Sequence, residues 1–120
     1  MSQKLPNHGG ILNQLLLGYK RSARDRKQEF LLTRKEFYEL VQQPCYYCNI
    51  ASSNLKKTVG YPNGFSYNGI DRLTPALGYT SKNTVSCCKD CNFAKQGMTK
   101  TQFLSWLKRI YSHLESKKLV

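Results

Sequence analysis

The chain reads as one α+β domain, stapled by a metal at its centre and flanked by helices at both ends. Three observations predict this class. At 120 residues the chain suits a single compact domain with a modest core that gains from a staple. Two Cys-x2-Cys pairs, Cys45/Cys48 and Cys88/Cys91, enclose a segment of short extended runs and turns. Outside that segment, apolar residues recur at three- and four-residue steps, the period of a helix with one buried face.

Charge narrows the partner. Lys and Arg total 19 against 7 Asp and Glu, a formal net charge of +12 spread over both halves. A basic surface can be simply solvated, but this much charge on so small a body points to a polyanion. Nucleic acid comes first, because Lys and Arg contacts to phosphate supply most non-specific affinity. An anionic membrane is the rival, and no long apolar run or basic amphipathic anchor supports it. The N-terminal MSQKLPNHGG lacks the apolar core of a signal peptide, and Leu15–Leu17 is too short to supply one. The expectation is therefore an intracellular, non-secreted protein with reduced thiols, in which paired Cys-x2-Cys turns hold zinc rather than disulfides.

Residues 1–10 are expected to be a disordered tail, with Pro6, Gly9 and Gly10 as breakers, ahead of a single domain over 11–120. Ile11 to about Lys27 follows as a helix, with Ile11, Leu15, Leu16, Tyr19 and Ala23 on one stripe. Its second half carries Lys20, Arg21, Arg24, Arg26 and Lys27 against Asp25 alone. The helix dipole accounts for some of these cations and phosphate contact for the excess. Phe30–Leu32 is a short extended piece. Thr33 and Glu36 form a capping box that starts a second helix, which buries Phe37, Leu40 and Val41 and ends before Pro44. Helices thus occupy 11–43.

The stapled core spans 44–97. Asn49–Ser66 is polar and turn-rich, a surface loop or a hairpin turning at Asn63–Gly64. Lys56 and Lys57 on it are either solvated or in reach of a ligand. Tyr67–Leu73 reads as a core strand, Gly78–Thr80 as a turn and Asn83–Ser86 as a second extended run. Asn92 opens a short helix that ends near Gly97. Thr99 and Gln102 cap the C-terminal helix, 99–115, whose Phe103, Leu104, Leu107, Ile110, Tyr111 and Leu114 are expected to face inward with Trp106 at the edge.

Zinc favours four soft ligands in a tetrahedron, and each Cys-x2-Cys turn offers two thiolates. Cys45, Cys48, Cys88 and Cys91 would close the coordination sphere, so the zinc is structural and any chemistry lies elsewhere. Cys87 is the spare, either a small buried residue or a replacement for Cys88. Asp71 and Asn92 offer a carboxylate and an amide oxygen, hard ligands that suit Mg²⁺ beside a phosphate. Arg72 can hold a phosphate in a bidentate manner. Taken singly, Asp71 reads more often as a turn or salt-bridge residue, Asn92 as a helix cap and Asn83 as a loop residue; it is their joint arrangement that points to a site.

C-x2-C, then IDR, then GYT-x2-N, then CC-x2-CN-x2-K resembles the HNH endonucleases with the ββα-metal fold, particularly the zinc-containing branch that includes phage recombination endonuclease. The match lies in residues 45–95, and the flanking LLTRKEFYELVQQPCYYC and MTKTQFLSWLKRIY also look like small phage or mobile-element HNH proteins. The resemblance implies a β-hairpin and a helix gripping one divalent ion, Mg²⁺ or similar, at a scissile phosphate, in a cytoplasmic or virus- or phage-encoded protein. It makes Asp71 and Asn92 the ligands of that ion, Asn83 the brace of the hairpin loop, and the four cysteines the zinc site. Double-stranded DNA is the leading substrate, with RNA and branched DNA open. Lys20, Arg21, Arg24, Arg26, Lys27, Arg72 and Lys95 are the expected nucleic-acid contacts.

The chain departs from the family at Arg72, which stands where most members carry the histidine that deprotonates the attacking water. Arginine stays protonated and cannot be a general base. Water is then activated by the metal or bulk base, or another group such as Tyr67, Tyr79 or His113 swings in, or the site is inactive. The alternative function is a non-catalytic zinc module that binds nucleic acid or a larger assembly through its basic surface.

Overall fold

The computed structural model describes residues 9–120, so His8 and most of the expected tail lie outside the described residues. Among the described residues there are four helices and two two-stranded antiparallel sheets. Helix α1 spans Gly9–Asp25 and buries Ile11, Leu12, Leu15, Leu16 and Ala23, the stripe that the 3.6-residue period requires. It begins earlier than expected. Gly9 and Gly10 form its first turn instead of belonging to a tail. The helix stops in a Schellman turn: Lys27 adopts φ 57°, its N–H bonds Arg24 O at 3.0 Å, and Gln28 N–H bonds Ala23 O at 2.8 Å. Arg26 and Lys27 therefore sit just past the helix.

The extended piece that follows pairs with a distant turn, through Leu31 N–H to Tyr79 O at 2.9 Å and Tyr79 N–H to Glu29 O at 2.9 Å. Helix α2, Arg34–Leu40, starts at the expected capping box. Glu36 N–H bonds Thr33 Oγ1 at 3.1 Å, and Thr33 N–H bonds Glu36 Oε1 at 2.9 Å. Phe37 and Val41 are fully buried, against α1 residues and Ile70, in the main apolar cluster.

Strands β1, Asn54–Thr58, and β2, Tyr61–Tyr67, form a hairpin, the second of the two forms that the polar, turn-rich segment allows. Its tip is Val59–Gly60, not Asn63–Gly64. Thr58 pairs with Tyr61, and Gly60 takes φ 91°, a left-handed conformation that suits glycine. Pro62, Asn63 and Gly64 instead oppose the single residue Lys57, a bulge that Gly64 accommodates at φ 86°.

The expected strand Tyr67–Leu73 is broken at Asn68. That residue is fully buried, and its Nδ2 donates to Gln43 O at 2.9 Å and Ala51 O at 3.1 Å. Its side chain ties down the segments around the first knuckle, and the next strand starts only after it. Strand β3, Gly69–Arg72, pairs with β4, Thr84–Cys87, in register Asp71↔Val85, and helix α3, Lys89–Lys95, follows directly and packs on β3.

Helix α4, Lys100–Ser116, opens at the Thr99–Gln102 capping box. Its apolar stripe does not all face inward. Phe103 is buried, packing edge-on to Tyr47 with ring centroids 5.1 Å apart, while Leu104, Leu107 and Tyr111 are 42%, 38% and 55% exposed. Most of the helix after Phe103 is exposed, in a molecule measuring 53 × 34 × 26 Å.

Candidate metal centre and active-site cleft

Both knuckles are tight turns tied to regular elements. Cys45 N–H bonds Ile50 O at 2.9 Å, Asn49 N–H bonds Cys45 O at 2.8 Å, and Tyr46 N–H bonds Ser86 O on β4 at 2.8 Å. Cys88 caps α3, its sulfur accepting from Cys91 N–H at 3.3 Å. The sulfurs of Cys45, Cys48, Cys88 and Cys91 all lie within 4.8 Å of one another, with Cys48 and Cys88 at 3.6 Å. A tetrahedron with metal–sulfur bonds near 2.3 Å requires sulfurs about 3.8 Å apart, so this donor set fits zinc. No two of these thiols are joined. Cys87 stays outside the group, fully buried, its thiol donating to Cys88 O at 3.4 Å. Burial, then the Asp71 carboxylate, push that thiol's pKa up and keep it neutral.

Asp71, Arg72 and Asn92 line a single cleft of about 440 Å³. Asp71 projects from β3 with only 5% of its surface exposed, and each carboxylate oxygen already has a partner. Lys95 Nζ lies 3.0 Å from Oδ1, and the Tyr47 hydroxyl donates to Oδ2 at 2.8 Å. Burial first, then the Asp71 carboxylate, raise the Tyr47 pKa, so the phenol remains a donor.

Lys95 corrects an expectation. As the last residue of α3 it was expected at the nucleic-acid surface, but its side chain turns inward between α3 and β3 and is fully buried. Its amine also donates to Arg72 O at 3.0 Å. An ammonium enclosed by a carboxylate and a carbonyl has no path to a phosphate.

Arg72 is half-buried. Its Nη1 donates to Gln28 Oε1 and to Pro75 O, the latter at 2.7 Å, and its Cζ lies 5.1 Å over the Tyr79 ring. Asn83 sits in the loop between β3 and β4. Its Nδ2 donates to Thr74 O at 3.1 Å and Gly78 O at 2.9 Å, while its Oδ1 accepts from Thr74 N–H at 3.0 Å. Asn92 is exposed on the middle of α3.

Lys20, Arg21, Arg24, Arg26 and Lys27 are all exposed, but Arg26 alone of them lines the cleft, joined from the β1–β2 hairpin by Lys56. His113 is exposed on α4, and among the described residues no histidine lines the cleft. Sequence reasoning missed Tyr47 as a partner of Asp71, Asn68 as a structural hub, and the contribution of α1 to the cleft wall.

Over 91% of its length the chain superposes on 82% of the solved structure of the rare-cutting HNH restriction endonuclease PacI, with a TM-score of 0.60 and 18% identity. The fold is HNH-like. No family model matches the chain. In sequence, 78 residues, 65% of the chain, are 44% identical to the uncharacterized protein R423 of Acanthamoeba polyphaga mimivirus, of which they cover 13%. Within this HNH-like fold, β3, β4 and α3 bring Asp71 and Asn92 to one cleft, and the cysteine cluster stands apart from it. No helix of the described residues is long and apolar enough to cross a membrane.

Proposed function

We propose that the chain is an HNH-type endonuclease that hydrolyses phosphodiester bonds in DNA with one divalent ion, on a scaffold stapled by a structural zinc. The observation that carries this is the convergence of Asp71, Arg72 and Asn92 on one basic cleft of an HNH-like fold. The likeness to a DNA-cutting HNH enzyme supports DNA as the substrate. Cys45, Cys48, Cys88 and Cys91 hold the zinc, closing its coordination, so it acts on folding only.

Asp71 and Asn92 present oxygens to the second ion, Mg²⁺ or similar. The carboxylate keeps free lone pairs beside those used by Lys95 and Tyr47. When bound, that ion polarises the scissile phosphate and stabilises the leaving oxygen. Lys95 and Tyr47 hold the Asp71 carboxylate in one orientation. Arg72, anchored by Gln28, Pro75 O and Tyr79, offers its remaining N–H groups to the negative charge of the reacting phosphate. With no histidine in the cleft among the described residues, no side chain takes the water's proton as efficiently as imidazole does, and the enzyme is slow. A general base typically contributes about 10²–10⁴-fold.

Nicking of supercoiled plasmid tests the reading. The chain should nick with added Mg²⁺ or Mn²⁺, and Asn92→Ala should slow nicking by about 100-fold or more while keeping the fold, because that side chain is exposed. A second reading, a non-catalytic module that binds DNA, is favoured by the partners that already occupy both oxygens of Asp71. Binding with steep salt dependence and no nicking under any divalent ion would select it.

A further inference from the structure

Helix α1 lies outside the β3–β4–α3 unit, yet it forms a wall of the cleft. It contributes Gln14, Gly18 and Ser22, and Arg26 follows just past its end. These positions recur every four residues, so they share one side of the helix. The wall is held against the metal grip, because the Tyr19 hydroxyl accepts from Ile70 N–H at 3.2 Å, one residue before Asp71.

Gly18 has no packing reason to be glycine. A Cβ built there meets nothing within 4 Å. Gly69 and Gly78 differ: a Cβ would come within 3.0 Å of the Tyr19 hydroxyl at the first and 2.7 Å of Glu29 O at the second. The open glycines at 9, 10 and 97 lie at helix ends or in turns, and Gly60 needs its positive φ. Gly18 sits in the middle of a 17-residue helix, where glycine is less favourable than alanine. Its one positional distinction is that it faces the cleft.

The cleft itself favours an anion. Arg26, Lys56 and Arg72 line it, and its acid, Asp71, is already paired with Lys95. Gln14 and Ser22 add neutral hydrogen-bond donors, which suit phosphate oxygens. From Gln14 to Arg26 the wall runs roughly 18 Å at the rise of a helix, too long for a small anion and long enough to follow several nucleotides.

We infer that the substrate's sugar-phosphate backbone lies along α1 and comes closest to it at Gly18, where the missing side chain lets it approach the helix beside Asp71 and Arg72. The inference rests on the nuclease reading for the nature of the ligand, but its test reads binding separately from cleavage.

Gly18→Ala, Gly18→Leu and the control Gly10→Leu, in the same helix but outside the cleft, are compared with the parent chain. Binding of a short fluorescein-labelled DNA duplex is followed by anisotropy with Ca²⁺ in place of Mg²⁺, alongside plasmid nicking. Gly18→Ala should raise the melting temperature by about 3–5 °C, since a better helix former fills open space. Gly18→Leu should stay at least as stable as the parent but bind the duplex at least about tenfold more weakly. Gly10→Leu should bind like the parent. Unchanged binding by Gly18→Leu overturns the inference, as does a parent chain that fails to bind the duplex. A parent that binds but does not nick, with Gly18→Leu still impaired in binding, rejects the nuclease reading and leaves the α1 wall standing.

Discussion

Asp71 has two partners before any ion reaches it. Its pairing with the fully buried Lys95 makes Asp71 part of the core, so a substitution there tests folding as well as metal binding. Asp71→Ala leaves a buried ammonium without its counter-charge, and Lys95→Ala leaves the carboxylate to Tyr47 alone. Each should lower unfolding free energy by about 3–5 kcal/mol, measured by urea denaturation, with Asp71→Asn losing less because it keeps hydrogen bonds. Losses below about 1 kcal/mol in both alanine variants would show that the pair is not closed to water. Loss of nicking by Asp71→Ala therefore cannot be assigned to metal binding alone, and the exposed Asn92 is the cleaner position. The grouping of Asp71 with Asn92 was legible in the motif spacing. The inward turn of Lys95 was not, because a lysine at a helix C-terminus reads as solvated and macrodipole-stabilised. Only the gap between α3 and β3, a tertiary feature, draws it in.

Among the elements, local chemistry was most legible where side chains bond their own backbone. The capping boxes at Thr33–Glu36 and Thr99–Gln102 start α2 and α4 where the sequence places them. Thr33→Ala and Thr99→Ala should each cost about 1 kcal/mol, seen as a melting temperature lower by about 3–5 °C. No change in either would mean that the box geometry contributes nothing net. Legibility failed where a local signal had two uses. Asn63–Gly64 resembles a hairpin tip, but Gly64 serves a bulge and Gly60 makes the turn. Asn68 interrupts a run that alternates like a strand, because its amide has partners on segments far away in sequence. The stripe of α4 follows helical period to Leu114, yet period reports only which side is apolar, not whether anything covers it.

At the scale of the whole molecule, the apolar packing divides in two. One cluster joins α1, α2, β3 and the Tyr79 turn, and a smaller one surrounds Cys45, Cys87 and Cys88. The second gathers few apolar side chains around four thiols that a metal could join. Apparent zinc affinities of about 10–16 kcal/mol in small modules match or exceed the 5–15 kcal/mol of a whole domain. Stripping zinc with a chelator should thus unfold β4 and α3, with loss of circular dichroism and a marked fall in melting temperature. Identical melts with and without chelator would remove zinc from the account. On the proposed reading, a zinc-held scaffold presents Asp71 and Asn92 to a DNA phosphate. Plasmid nicking by the zinc-loaded chain decides the matter. Divalent-ion-dependent nicking that Asn92→Ala reduces by about 100-fold, without loss of melting temperature, is the result expected. A folded, zinc-loaded chain that never nicks DNA with Mg²⁺ or Mn²⁺ would contradict it.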